Sequence, residues 1–369
     1  MFPRVRSRAI LAILTAALIP GAATGTDLSE PFPIRNQLPF HLLFLDLRPA
    51  AAAPVSVRGW RLGALLTYEN TFTASDELVR FYNEDNFQTY GGVVTPPVLA
   101  AVAAATPDGT AYIIDTETAR LLIDATLGLG PWLEIGLEIP FLAHGTGFMD
   151  TFIDSYHDRF NFPDGGRVGF AQDRFHAGYT GDGADVFVAE PPGPGIGDIA
   201  IRGRALLRRP DSGKTGLSAG LELKLPTGDP DRLHGSGSFD LGVNVAISRD
   251  YRRFSLHGGA GYTRVGSWEI APTLPVEDSR GVYLAWGFAA TDRTAVIGQI
   301  LLSSGAFPQR SGSDIGRTAS EIVLGVRHRG SRGLDFEYGL LENLGSLHNA
   351  PDVGFFFGLS HRNAGRRSP

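Results

Sequence analysis

The sequence predicts an all-β fold, a transmembrane antiparallel β-barrel of about twelve strands (roughly 10 to 14) with long extracellular loops. The first observation is alternation with a period of two. In residues 217–225 the odd positions are apolar and the even ones small or charged, and 239–248 repeats the pattern. Successive side chains of a strand point to opposite faces. The second observation is that the polar face mixes glycine with charged residues, which suits the crowded interior of a closed barrel in lipid.

The chain begins with two segments that we do not assign to the barrel. In residues 1–25, three arginines precede an apolar run at 9–19 that ends in proline and small residues. A run of about 11 residues is too short to span a bilayer, so we interpret 1–25 as a cleaved signal peptide. Residues 26–59 are rich in proline, which forbids a regular strand ladder. We expect this segment to lie in the periplasm or as a plug in the lumen.

Twelve strand candidates follow within residues 60–363, which we assign to the barrel, and 364–369 form a basic tail. Each candidate has roughly 9 to 14 residues, the length that a tilted strand needs to cross a bilayer. The least regular is 294–304, where Ile297, Leu301 and Leu302 do not alternate. The candidates are 60–72, 117–129, 132–145, 196–208, 216–228, 239–249, 254–266, 281–291, 294–304, 318–329, 334–344 and 353–362.

The connections between these strands alternate between short turns and longer loops. Short turns occur at 129–132, 250–253 and 292–293, whereas 73–116 and 146–195 are long. Bacterial outer-membrane barrels have this asymmetry, with short turns in the periplasm and long loops outside. A β-sandwich has no reason to alternate in this way.

This register places charged residues inside the barrel and aromatic residues at its rim. Trp60 and Trp132 fall at predicted periplasmic ends, where an interfacial aromatic girdle belongs. We expect the inward residues to form cross-strand ion pairs in a narrow or occluded lumen. The residues that we predict to line it are Glu134, Glu138, Arg202, Arg204, Glu222, Lys224, Asp240 and His257.

The long loop after the third strand contains a predicted helix beginning near Asp150. Its aspartates and histidine suggest a lid that captures a ligand over the barrel mouth. The alternative, which we favour, is a surface loop packed by its own aromatic residues, because one histidine with carboxylates is a weak metal signature. The candidate capture residues are Asp150, Asp154, Tyr156, His157 and Arg167.

Composition and motifs exclude several functions. The net charge of −6 becomes −9 once the three arginines of the signal peptide are removed, so nucleic-acid binding is not expected. The chain has no cysteine and therefore offers neither a disulfide framework nor a thiolate metal site. It contains no H-E-x-x-H and no phosphate-binding glycine loop, and we expect no catalysis and no cofactor.

Three motifs carry a resemblance. Gly195-Ile196-Gly197-Asp198-Ile199, the LKLPTGD motif at 223–229 and the GSGSFD motif at 235–240 resemble a pattern in outer-membrane barrels encoded near aromatic-degradation pathways. More specifically, PIRNQ at 33–37, FID at 152–154 with His157, and DGGR at 164–167 resemble a Gram-negative barrel family of unknown function. The resemblance implies the fold and an outer-membrane location. Many such barrels end on an aromatic residue, whereas a basic tail follows Phe357 here.

The function that we favour from the sequence is passive passage of a small, hydrophobic molecule. We expect capture by aromatic-rich loops, followed by movement through the lumen or sideways into the membrane. A structural or adhesive barrel that displays its loops is the alternative, and a barrel hydrolase is the third hypothesis. The expected partners are outer-membrane lipid, the barrel assembly machinery and the solute.

Overall fold

The computed structural model describes residues 26–55, 57–83, 90–160, 166–209, 214–309, 315–344 and 349–363. The predicted signal peptide (1–25) and basic tail (364–369) lie outside these residues. Within them, no helix is long and apolar enough to cross a membrane. The 15 strands of the sheet are β1 (Trp60–Ala74), β2 (Ala111–Gly128), β3 (Leu133–Gly145), β4 (His176–Gly181), β5 (Ala184–Val188), β6 (Gly195–Ile196), β7 (Ala200–Arg208), β8 (Gly216–Lys224), β9 (Asp240–Tyr251), β10 (Phe254–Arg264), β11 (Ser279–Ala289), β12 (Thr294–Ser303), β13 (Ala319–Arg329), β14 (Leu334–Asn343) and β15 (Val353–Asn363).

Twelve of these strands close into an antiparallel barrel, which confirms the predicted fold. The wall consists of β1 to β3 and β7 to β15, each paired with its neighbour along the chain. The last strand pairs with the first, from Trp60 opposite Asn363 to Asn70 opposite Val353. The hairpin β4–β5 instead extends the outer end of β2. Short turns face the periplasm in outer-membrane barrels, and we name the two ends on that basis.

The alternating side chains divide as the sequence predicts. On β9, Val243, Val245 and Ile247 are 46–50% exposed, while Ala246 and Ser248 are each 3% exposed. A continuous belt of exposed branched apolar side chains around a closed sheet belongs against lipid. The inward face is polar only in part, because the predicted irregular strand β12 turns Ile297 and Leu301 inward.

Three predicted strand boundaries are wrong. Strand β2 begins at Ala111, six residues before the predicted start at 117. The strand predicted at 196–208 is interrupted between β6 and β7, since Asp198 turns inward and accepts hydrogen bonds from the backbone of another loop. The strand predicted at 216–228 ends at Lys224. Pro226 follows and has no N–H to donate to a ladder.

Four α-helices of the described residues lie outside the wall strands: α1 (Pro39–Leu42), α2 (Asp76–Phe81), α3 (Pro96–Ala105) and α4 (Asp150–Phe160). Short 3-10 turns occur at Thr26–Ser29, Arg167–Gly169, Pro230–Arg232 and Ser331–Gly333. Helices α2 and α3 pack on the outer ends of β1 and β2 in an apolar cluster that includes Leu78, Leu99 and Phe72. Helix α1, in contrast, belongs to a segment inside the barrel.

Candidate functional site

Residues 26–55, which we call the lumen segment, fill the barrel. The segment starts near the periplasmic half, where Ser29 packs against Gly287, and rises to α1 below the extracellular mouth. It then returns, and Val55 donates its N–H to Glu134 near the periplasmic end of β3. These contacts place residues 26–55 inside the barrel, which is one of the two positions that the sequence left open.

The lumen segment satisfies its backbone with side chains of the wall, because its prolines prevent it from forming a strand ladder. Phe32 donates its N–H to Gln299 Oε1 at 2.9 Å, and Ala52 donates to Ser248 Oγ at 2.8 Å. His257 supports the second contact, since its Nδ1 lies 2.8 Å from the same Oγ. The inward polar residues thus act as receptors for a chain that crosses the lumen.

One side of the lumen holds the segment by apolar packing. The rings of Phe32 and Phe356 lie 4.7 Å apart between centroids, within a buried cluster that includes Leu28, Ile297 and Leu301. This contact explains why β12 fails to alternate, since its inward positions meet an apolar partner rather than water.

On the opposite side, three sequence motifs meet at Lys224. Its Nζ donates to the Leu43 carbonyl at 2.7 Å, to Asp198 at 2.7 Å and to Ser236 at 2.6 Å, and lies 3.1 Å from Asp240. Asp240 in turn accepts the N–H of Leu45 at 2.7 Å. We call these residues the Lys224 node. Because it holds both Leu43 and Leu45, it anchors the lumen segment to β8 and β9.

Asp198 links the node to the surrounding loops. Its carboxylate also accepts the N–H groups of Thr227 at 3.0 Å, Gly228 at 2.8 Å and Ser236 at 3.1 Å. Glycine is required at Gly235, since a Cβ there would overlap the Asp198 carboxylate. The motifs that carried the resemblance therefore build one hydrogen-bonded anchor.

A second charged network lies nearer the periplasm. Arg48 of the lumen segment pairs with Asp124 at 3.1 Å and with Glu138, and Arg202 contacts the same two acids. Arg204 pairs with Glu134, since its Nε donates to Glu134 Oε1 at 2.9 Å. Arg204 also donates to the Ala51 carbonyl at 2.5 Å.

Two of the cavities that described residues line lie inside the barrel. The lower cavity has a volume of about 300 Å³ and reaches the periplasmic strand ends at Arg61 and Arg362. Above it, between the lumen segment and the wall, lies a neck of about 10 Å³ that includes Arg120, Glu138 and Lys224. The neck holds about one water molecule. Glu222 lines both spaces.

The extracellular mouth is closed by an apolar cluster, which we call the mouth cluster. Phe40 of α1 lies 5.4 Å from Trp268 and 5.9 Å from Phe307 between ring centroids. Tyr179 of the β4–β5 hairpin packs on the same Phe307 ring. A solute that travels through the lumen must therefore displace the lumen segment, the mouth cluster or both.

The predicted capture residues divide into two groups. Asp150 and Arg167 are buried together, with Arg167 donating to Asp150 at 2.8 Å, to Asn70 at 2.6 Å and to Asp352 at 2.6 Å. Asp352 lies in a loop outside the spanning strands, and burial raises its pKa to about 7 against the opposing effect of Arg167. These side chains are bound to one another, so we expect them to fix the loop rather than reach a ligand.

Of the remaining predicted capture residues, only Asp154 has a side chain in the described part of the chain. Asp154 on α4 accepts a hydrogen bond from Gln172. The side chains of Tyr156 and His157 lie outside the described part of the chain, as do Asp164 and Gly165 of the DGGR motif. Trp60 and Trp132 are 37% and 56% exposed near the periplasmic turns, and Trp60 packs 5.1 Å from the His361 ring. Ligand capture by this loop stays a prediction.

Some wall residues that bind the lumen segment, such as Lys224 and Asp240, were among the predicted lumen residues, whereas Gln299 was not. Gln299 is a lone amide in an apolar strand, which is a detectable signal for a specific buried partner. The PIRNQ motif was a second signal, since Asn36 donates to the Asn349 carbonyl at 3.0 Å and Gln37 accepts from Thr67 at 2.9 Å.

The chain is similar to solved outer-membrane barrel structures at low sequence identity. The COG4313 outer membrane channel from Pseudomonas putida F1 has a TM-score of 0.51 and 11% identity, over 86% of this chain and 100% of that chain. A Pseudomonas aeruginosa FadL homologue has a TM-score of 0.36 and 11% identity, over 93% of this chain and 100% of that chain. The first similarity supports the fold of an outer-membrane barrel and nothing finer.

The sequence itself matches one family. No curated protein matches the chain. The family described as "Protein of unknown function (DUF3187)" matches residues 99–363, from α3 to the end of β15. The chain therefore belongs to the DUF3187 family.

Proposed function

We propose that this protein is a passive outer-membrane channel for small solutes, closed in this conformation by its lumen segment. The observation that carries the proposal is how the segment is held. It contacts the wall through side-chain hydrogen bonds, ion pairs and apolar packing, and the barrel ladder closes without it. The segment can therefore move without breaking any strand pairing. Export by a cleaved signal peptide and insertion by the barrel assembly machinery belong to the same proposal.

The lower cavity bears on the class of solute. From the sequence we expect a hydrophobic solute. However, eleven of the side chains that line the cavity are charged, among them Arg61, Glu134 and Arg204. Desolvation of these groups by an apolar molecule is unfavourable. The lining supports a polar or amphiphilic solute in the lumen. A hydrophobic molecule would instead contact the outer surface of the barrel.

A second candidate function is display of the extracellular loops. Phe148, Phe152 and Val168 are 68%, 59% and 77% exposed on the loop that carries α4. Large apolar side chains exposed together mark a surface for contact with a lipid or a protein. A display barrel would bind its partner through this loop and would need no movement of the lumen segment.

A reversible crosslink tests the channel. The chain has no native cysteine, so the double variant Ala52→Cys with Ser248→Cys carries the only thiol pair. These positions are in contact in the closed conformation. We expect single-channel current steps from the reduced protein in a planar bilayer, loss of the steps on oxidation, and recovery with reductant. Current that persists in the oxidised protein contradicts gating by the lumen segment, and a silent reduced protein contradicts the channel.

The matched control is the single variant Ser248→Cys, which cannot form the crosslink. Oxidation should leave its current unchanged. Heat-dependent gel mobility of each protein establishes that the barrel is folded before the recording.

A further inference from the structure

Glu222 differs from the other acids of the lower cavity in its partners. The other four each have an arginine close by: Glu30 with Arg61 at 3.1 Å, Asp124 with Arg48 at 3.1 Å, Glu134 with Arg204 at 2.9 Å, and Glu337 with Arg327 at 2.8 Å. Among the described residues, Glu222 has no cation within ion-pair distance. Its hydrogen-bond partner is the Asn244 amide, whose Nδ2 donates to Oε1 at 3.0 Å.

Glu222 also lies where the wider space narrows. It lines the lower cavity and the neck above it, as do Pro33 and Arg48 of the lumen segment. Gly220 and Gly242 flank it on the inward faces of β8 and β9. Gly220 lines the lower cavity beside the carboxylate, and the Asn244 amide packs over Gly220.

We propose that Glu222 forms the cation-recognising end of a binding site in the lower cavity, and that the site takes a small primary amine with an apolar body. The Glu222 carboxylate is partly buried and has no cation at ion-pair distance among the described residues, and an ammonium group supplies that charge and three donors. This inference rests on the proposed function, because it names the class of solute that the channel holds below its neck.

The rest of the cavity fits such a molecule. The return limb of the lumen segment contributes Pro49, Ala50 and Pro54, and the wall contributes Leu65 and Leu122. These side chains form an apolar surface for the body of the solute. The arginines of the cavity are already paired with acids, so they repel an ammonium less than free cations do. A volume of about 300 Å³ admits a single-ring amine.

Equilibrium binding to the full-length, detergent-solubilised protein tests the site. The probes are benzylamine and its neutral analogue benzyl alcohol, measured by ligand-observed NMR. We expect saturable binding of benzylamine, and at least roughly tenfold weaker binding of benzyl alcohol, because a charged hydrogen-bonded pair is lost. The variant Glu222→Gln should bind benzylamine roughly tenfold more weakly as well. The control Glu190→Gln alters an exposed loop carboxylate and should bind as the wild type does.

A second variant gives a gain instead of a loss. Asn244→Asp places another carboxylate beside Glu222 and should strengthen benzylamine binding several-fold. This keeps the test decisive if Glu222→Gln does not fold. Equal binding of amine and alcohol, or benzylamine binding unaffected by either substitution, overturns the inference.

Flux separates this inference from the channel itself. Liposome swelling with benzylamine reports transport independently of the binding measurement. If benzylamine flux does not depend on Glu222, the proposed channel is retained and the proposed amine site is rejected. If benzylamine binding depends on Glu222 but no solute passes, the amine site is retained and the channel is rejected.

Discussion

The Leu43 carbonyl accepts a hydrogen bond from Lys224 Nζ at 2.7 Å, across a separation of 181 residues. Lys224 is one of two lysines in the chain, and its side chain is 2% exposed. Two carboxylates, Asp198 and Asp240, flank its ammonium group. The ammonium group that neutralises both acids therefore also holds the lumen segment in place.

Lys224→Met should destabilise the protein and release the lumen segment. The substitution removes the cation from a buried group that retains two acids, a loss of roughly 3 to 5 kcal/mol where both charges stay buried. The free energy of unfolding in urea and the open probability in a planar bilayer measure the two effects. Lys214→Met, at an exposed turn, is the matched control. Wild-type stability and current in Lys224→Met would refute the anchoring role of the node.

Gly235→Ala should weaken the same anchor without removing a charge. Its Cβ would overlap the Asp198 carboxylate, so Asp198 must turn away from Lys224 and from the backbone donors that it binds. Overpacking of this kind costs about 1 to 3 kcal/mol. Gly203→Ala is the control, since a Cβ at Gly203 meets no atom within 4 Å. Equal urea midpoints for the two variants would contradict the close approach at Gly235.

The twelve strands were predictable because alternation of apolar and polar residues identifies the strands of the wall. Val243 and Val245 face lipid whatever lies inside the barrel, so alternation alone identifies their strand. Ile297 is different, since its inward orientation depends on contact with the lumen segment. Alternation contains no information about a partner such as Phe32, which binds Gln299 across 267 residues.

The site was less predictable for the same reason. The prolines of 26–59 exclude a strand ladder but do not state where the segment goes. Its course depends on separate receptors, Gln299 on β12 and both Asp240 and Ser248 on β9. Similarly, Asp150 and Arg167 are visible as charged loop residues, whereas their burial depends on Asp352 from the last loop.

Arg167→Ala should loosen the extracellular loop that carries α4. Arg167 is 6% exposed and joins Asp150, Asp352 and Asn70, which lie on three separate parts of the chain. Its removal leaves two buried acids without their cation. We expect limited proteolysis of intact cells to cleave this loop at least roughly tenfold faster, since a loss of about 1.4 kcal/mol already changes an opening equilibrium tenfold.

Arg159→Ala serves as the control for this loop, because Arg159 is exposed on α4. Its cleavage rate should match that of the wild type. Equal rates for both variants would mean that the Arg167 contacts do not hold the loop.

The same group of residues should make the loop sensitive to pH. Burial raises the pKa of Asp352 to about 7; Arg167 opposes this, and Asp150 and Asp115 add to it. An acid whose pKa is higher in the folded than in the unfolded state contributes stability that is full below about 4 and is lost as the pH rises through about 7. The loop should therefore resist proteolysis better at pH 5.5 than at pH 8.

His176, which lies 3.3 Å from Asp115, also faces this group of residues. Asp352→Asn keeps His176 and removes only the carboxylate, so it should reduce the difference between the two pH values. An unchanged difference in Asp352→Asn would assign the effect to other titrating groups.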